Sequence, residues 1–277
     1  MSDRPRTYKT EGVILRRRNV GEADSIFTVY SDREGKFDAV ARGVRKAKSH
    51  MRGHLEPLTR SKLMVARGRS LDVFTQAETV TGYMAIRDDL ERGAAAMYCA
   101  ELVDRFTIEH ADHPGLYGLL LEILDALEAG AAQQVVRSFE LQLLSVMGYE
   151  LQLDACTLCG GPLVAVETLL SPSAGGLVCA NCRGSAGGGR MLSVRALKVL
   201  RYARAVDLAA FAGVRIDADL GFELQRAMGE VIRYLLDHEV LSSRYVDQVS
   251  RLAARAVASA ETPLERSTAS DERDHVQ

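Results

Sequence analysis

Four short stretches decide the fold: Ser25-Ile-Phe-Thr-Val-Tyr30, Lys36-Phe-Asp-Ala-Val-Ala-Arg42, Ser61-Lys-Leu-Met-Val-Ala66 and Leu71-Asp-Val-Phe-Thr75. Each is rich in β-branched and aromatic residues, or alternates apolar with polar, and so reads as a strand. Turn signals separate them at Asn19-Val-Gly21, Glu34-Gly35 and Arg67-Gly-Arg69. With the segment that begins at Thr7, they predict about five strands in under 90 residues, the count of a small OB-type barrel.

After Asp88 the period changes. Leu90, Ala94, Met97, Leu102 and Phe106 recur at helical spacing, and Leu116–Leu127 makes a second apolar face. A third helix is predicted over Ala131–Met147, closed by Gly148 in a left-handed cap. Helices resume after Ser193, a plausible N-cap, and return over Asp219–His238 and Arg244–Val257. The residues between, 151–190, are rich in glycine and cysteine and carry no helical pattern.

Cys156-Thr-Leu-Cys159 and Cys179-Ala-Asn-Cys182 lie in that gap, separated by 19 residues. Two C-x-x-C pairs roughly 15–20 residues apart form the ligand pattern of a zinc ribbon. Soft thiolates prefer zinc to magnesium or calcium, and four of them close the tetrahedron, so the expected role is structural. A redox C-x-x-C normally sits at a helix start in a βαβ unit and does not explain two pairs. The fifth cysteine, Cys99, falls in an apolar helical stretch and reads as core.

The expected architecture is therefore multidomain α+β. It has an N-terminal OB-type nucleic-acid-binding barrel over 1–83, a helical domain over 84–150 and 191–260, an inserted four-cysteine zinc-ribbon-like module over 151–190, and a disordered polar tail over 261–277.

The formal net charge of −2 hides an asymmetry. Residues 1–80 hold 17 Lys and Arg against 10 Asp and Glu, whereas the remainder has a balance of −9. The first part suits a polyanion. Nine basic residues against Glu56 alone fall between Arg42 and Arg69, a phosphate footprint or a solvated face. The run Arg42-Gly-Val-Arg-Lys-Ala-Lys-Ser49 joins two strands and should be a loop. Strand-borne rings, Phe27, Tyr30, Phe37 and Phe74, are core or base-stacking candidates, with Phe27 the better core residue and Phe37 the foremost stacking candidate. Arg16-Arg-Arg18 offers a second edge. The expected DNA contacts are Lys36, Phe37, Arg42, Arg45, Lys46, Lys48, Arg52 and Arg67.

Several classes find no support. The sequence contains neither a G-x-x-x-x-G-K-[ST] phosphate loop nor a G-x-S-x-G nucleophile elbow. His54-Leu55-Glu56 has the H-x-E form of a zinc deaminase, but Ala155 and Val178 stand where that chemistry needs proline. No apolar run reaches the ~18 residues of a membrane span. Nothing near Met1 resembles a signal peptide, so the expected site is cytoplasmic, at the nucleoid.

The blocks Lys9-Thr-Glu-Gly-Val-Ile-Leu15, Gly21-Glu-Ala-Asp-Ser-Ile26, Gly35-Lys36, Ala39-Val-Ala-Arg-Gly-Val-Arg-Lys-Ala-Lys-Ser49, Arg67-Gly68 and Thr75-Gln-Ala-Glu78 resemble the RecO family of bacterial recombination mediators. With the order of barrel, helices and cysteine module, the resemblance covers the chain to about residue 250. With no phosphate loop and no nucleophile motif, the expected protein is non-enzymatic and ATP-independent; the resemblance implies that it binds single- and double-stranded DNA and anneals complementary strands. With RecR it helps load RecA onto DNA coated by single-strand-binding protein, and it contacts that protein's acidic, apolar C-terminal tail. Arg137, Arg195, Lys198, Arg201 and Arg204 are candidates for the tail. An RNA-binding or transcription-associated adaptor, and a zinc-dependent nucleic-acid-modifying enzyme, remain alternatives.

Overall fold

A computed structural model describes residues 6–131, 134–163, 166–237 and, beyond these, 242, 243, 246, 248, 249 and 252. Five strands, β1 (Thr7–Val20), β2 (Asp24–Ser31), β3 (Gly35–Ala41), β4 (Arg60–Ala66) and β5 (Asp72–Thr81), close into a barrel in the order β1-β2-β3-β5-β4. The parallel β3–β5 pairing and the antiparallel β1–β4 pairing complete the ring, which is the OB arrangement.

The barrel encloses Ile14, Phe27, Val29, Phe37, Leu63, Val65 and Phe74. The Phe27 and Phe74 rings meet edge to face at 6.1 Å, and Phe37 tilts against Phe74 at 6.4 Å. Such pairs add about 1 kcal/mol each beyond their buried area. The β3–β4 connection closes one end, because Val44 and Leu55 are wholly buried among these side chains.

Gly12-Val-Ile-Leu15 is buried throughout. Ile14 points into the barrel, while Val13 and Leu15 join a second cluster built with the helices. Those helices are α1 (Met84–Asp88), α2 (Leu90–Phe106), α3 (Leu116–Glu128) and α4 (Val135–Val146). One barrel wall is thus a shared interface, and the barrel and helices are packed through a common core. Cys99 lies inside that core with no exposed surface. Its thiol is pushed well up by burial and by the Glu140 charge.

The four-cysteine module carries an antiparallel sheet in the order β7-β6-β8, formed by β6 (Thr168–Ser171), β7 (Gly176–Val178) and β8 (Arg190–Leu192). Ser193 caps α5 (Val194–Ala205) through the Ala196 N–H, as its position predicts. A short α6 (Leu208–Ala212), capped by Asp207, precedes α7 (Ala218–Leu236), capped by Asp217. The module packs through Leu170, Leu177 and Leu192 on Leu144 of α4, Leu197 of α5 and Leu224 of α7. Gly148 takes φ of +80° and ends α4 as expected. The helix predicted over Arg244–Val257 and the tail lie almost wholly outside the described residues. Among the described residues, no helix is long and apolar enough to cross a membrane.

Candidate nucleic-acid interface and metal centre

The segment Arg42–Leu55 is a plug with a charged outer side. Val44 and Leu55 anchor it in the barrel, while Arg42, Arg45, Lys46, Lys48 and Arg52 are exposed. It is stapled to the β1–β2 turn: the Gly43 N–H donates to Asp24 Oδ1 at 2.7 Å, the Arg45 N–H to Ala23 O at 2.9 Å and Arg45 Nη1 to Gly21 O at 3.1 Å. Among the described residues no ion pair involves these five cations. A surface of fixed shape carrying unneutralised charge is a suitable phosphate receptor.

The other expected contacts differ. The Phe37 ring is wholly buried in the barrel, so it presents no face to a base; this corrects its assignment as a stacking residue. The cause is strand parity: Phe37, Ala39 and Ala41 all face inward. Lys36 is also corrected. Its ammonium is largely shielded and donates to Asp104 Oδ1 at 3.3 Å and to the Asp104 and Thr107 carbonyls at the end of α2. It joins the barrel to the helices and is not free for phosphate. Arg67 lies 4.4 Å from the Tyr8 ring centroid and pairs with Glu34 at 3.4 Å. Arg16 pairs with Asp104, and Arg17 with Glu56.

Gly35 shows how tightly that joint is built. Its φ is +64°, and an added Cβ would meet Ala111 O at 2.4 Å, where the segment following α2 crosses the β2–β3 turn. The His110 N–H donates to Lys36 O at 2.8 Å in the same crossing.

The sulfurs of Cys156, Cys159, Cys179 and Cys182 all lie within 4.8 Å of one another. Two turns bring them together. The Gly160 N–H donates to Cys156 O, and the Cys182 N–H to Cys179 O. The Cys179 N–H reaches Cys156 Sγ at 3.4 Å and, with the amides of the first turn, holds that thiol down to about 6. Hydrogen bonding to Cys179 and Cys159 pushes Cys182 up to about 12. Four crowded thiolates repel one another unless a cation sits between them, so the donor set fits a soft, tetrahedral dication. Gly176 lets the start of β7 run against Gln152, ahead of the first cysteine turn, since a Cβ there would meet Gln152 O at 2.3 Å.

The arginines considered for an acidic tail do not converge. Arg195 pairs with Asp217, and Arg201 and Arg204 pair with Asp154. Arg137 lies elsewhere, in a cavity of about 590 Å³ shared with Arg190, Arg226, Arg233, Phe222 and Ile232. Arg137 is only 6% exposed and contacts Glu140 at 3.1 Å, which also accepts from the Tyr98 hydroxyl at 2.7 Å. No local pattern in the sequence marks this cavity, because its arginines come from α4, β8 and α7.

By fold the chain is an OB-barrel protein with a four-cysteine ribbon set on a helical body. Residues 1–83 match the model of the recombination protein O N-terminal region, and residues 87–244 that of its C-terminal region. A protein named DNA repair protein RecO from Roseiflexus sp. (strain RS-1) is 37% identical over 250 residues, covering 90% of this chain and 88% of the relative. Proteins of the same name from Dehalococcoides mccartyi (strain ATCC BAA-2266 / KCTC 15142 / 195) and Pelotomaculum thermopropionicum are each 34% identical, covering 90% and 89% of this chain and 98% and 96% of theirs. The chain belongs to the RecO family of DNA repair proteins.

Proposed function

We infer that this chain is a recombination mediator that binds single- and double-stranded DNA through the cations of the β3–β4 connection and anneals complementary strands without nucleotide. The observation that carries this reading is the stapled plug Arg42–Arg52, which presents exposed cations with no acidic partner among the described residues. Two strands repel through their phosphates; neutralising that charge on a rigid surface lowers the barrier to pairing. With RecR, the protein would then help load RecA onto DNA coated by single-strand-binding protein. It would act by binding, in the cytoplasm at the nucleoid.

The acidic, apolar C-terminal tail of the coating protein suits the cavity around Arg137. Arg226 and Arg233 lack ion-pair partners among the described residues, and Phe222 and Ile232 supply apolar wall. Zinc at Cys156, Cys159, Cys179 and Cys182 would hold the ribbon together from within and leave no open coordination position for chemistry.

The test is annealing of complementary oligonucleotides in EDTA without nucleotide. Wild type should accelerate pairing, and Arg45→Ala/Lys46→Ala/Lys48→Ala should lose most of that acceleration. Strict ATP dependence, or full activity in the triple variant, contradicts the reading.

A further inference from the structure

The barrel's rings and its cations face opposite ways. Residues 6–81 include five Phe and Tyr side chains: Phe27, Tyr30, Phe37 and Phe74 are at most 2% exposed, and Tyr8 is half-buried. The Tyr8 ring has the Arg67 guanidinium over it, and its hydroxyl donates to Asp72 Oδ2 at 2.8 Å. His54 is fixed against Thr79, whose N–H donates to Nδ1 at 3.2 Å, which leaves His50 as the exposed ring of this segment. Among the described residues, the exposed tyrosines Tyr149, Tyr202 and Tyr234 belong to the helical half, whose charge balance is acidic.

An OB barrel that grips single strands by their bases needs outward aromatic platforms. This one carries an outward row of cations instead. Arg18 extends that row: it sits on β1 as the strand enters the turn to which Arg45 is stapled, it is exposed, and no side-chain ion pair or hydrogen bond engages it among the described residues. The neighbouring Arg17 leans over Phe27 at the barrel end, 5.7 Å from the ring centroid, so strand alternation puts Arg18 on the outer wall.

Resting on the DNA-binding reading above, we propose that Arg18, Arg42, Arg45, Lys46, Lys48 and Arg52 form a phosphate rail that holds a strand by its backbone alone and leaves its bases unstacked and free to pair. Single strands and duplexes then present the same ligand chemistry, a row of phosphates, and a held strand keeps its pairing edges available to a complement. Affinity becomes independent of the bases.

The experiment compares binding of a thymidine oligonucleotide with an abasic strand of equal length that keeps every phosphate and carries no base. Wild-type protein and Arg45→Ala/Lys46→Ala/Lys48→Ala are titrated with both across a range of salt. The expected result is affinities within about twofold for the two strands, with the triple variant weakening both alike. Arg18→Ala should lower the slope of log K against log salt by roughly 0.7 on either strand. If the abasic strand binds wild type fivefold or more weakly, at least one base is held by stacking and the inference falls. In that case a weakened triple variant would still leave DNA on the plug. If the triple variant binds thymidine like wild type, the plug is not the DNA site and the underlying reading fails first. An unchanged slope in Arg18→Ala removes that residue from the rail.

Discussion

Lys36 of β3 and Asp104 of α2 lie 68 positions apart in sequence and meet with the ammonium 3.3 Å from the carboxylate. The same ammonium satisfies two carbonyls at the end of α2, where a cation also suits the helix dipole. Lys36→Met should therefore destabilise the folded protein by about 2–3 kcal/mol, because both carbonyls lose this donor in a largely shielded place and Asp104 keeps only Arg16, on its other oxygen. Urea denaturation reads the loss. The salt dependence of DNA binding, measured on the folded variant, should stay as in wild type.

Phe37→Ala should act on the barrel and not on a base. Removing a wholly buried ring in contact with Phe74 opens a cavity, and the expected cost is about 3–5 kcal/mol. Phe37→Leu, which keeps most of the volume, should recover most of the stability. A stacking residue would show the reverse: near-normal denaturation and weakened DNA binding for both variants.

The two corrected assignments differ in what the sequence makes visible. For Phe37 the sign is present: Lys36-Phe-Asp-Ala-Val-Ala alternates, and the small apolar partners Ala39 and Ala41 share its parity, so the inward face can be assigned. For Lys36 there is no local sign, since its partners arrive from the far end of a helix. The strands, the clustering of the four cysteines and the Ser193 cap are legible because each is written in short-range spacing. Gly12–Leu15, an unbroken buried run, reads as strand, but its burial on both faces depends on helices distant in the chain. The basic run 42–49 is legible as a loop. Its stapling to the β1–β2 turn rests on Asp24, Ala23 and Gly21, which no pattern links to it.

Metal removal should affect one part of the molecule. Purified protein should contain about one zinc per chain, and Cys156→Ser should lose it. Amide exchange should then speed up across β6, β7 and β8, while the barrel strands keep their protection, because the module packs on α4, α5 and α7 and contributes nothing to the barrel core. Retained zinc in Cys156→Ser, or equal loss of protection in the barrel, contradicts this assignment.

Glu140 introduces a pH dependence. It is wholly buried, and desolvation raises its carboxyl above the usual value of 4.5, although Arg137 and the Tyr98 hydroxyl pull in the opposite direction. The folded state thus binds a proton more tightly than the unfolded state does. Its stabilising effect is present at low pH and is lost as pH rises from 4.5 through the raised value. Glu140→Gln should remove this component of the pH–stability profile, measured by urea denaturation at several pH values. An unchanged profile would show that Glu140 titrates alike in both states.

Whether exposed cations on the barrel plug hold the DNA backbone is decided by the salt dependence of single-strand binding in wild type and Arg45→Ala/Lys46→Ala/Lys48→Ala. Each phosphate left without its cation lowers the slope of log K against log salt by roughly 0.7, so the triple variant should fall by about 2, with the largest drop in affinity at low salt. A triple variant with wild-type slope and affinity would show that the plug does not hold the backbone and would move the DNA to the helical body or the ribbon.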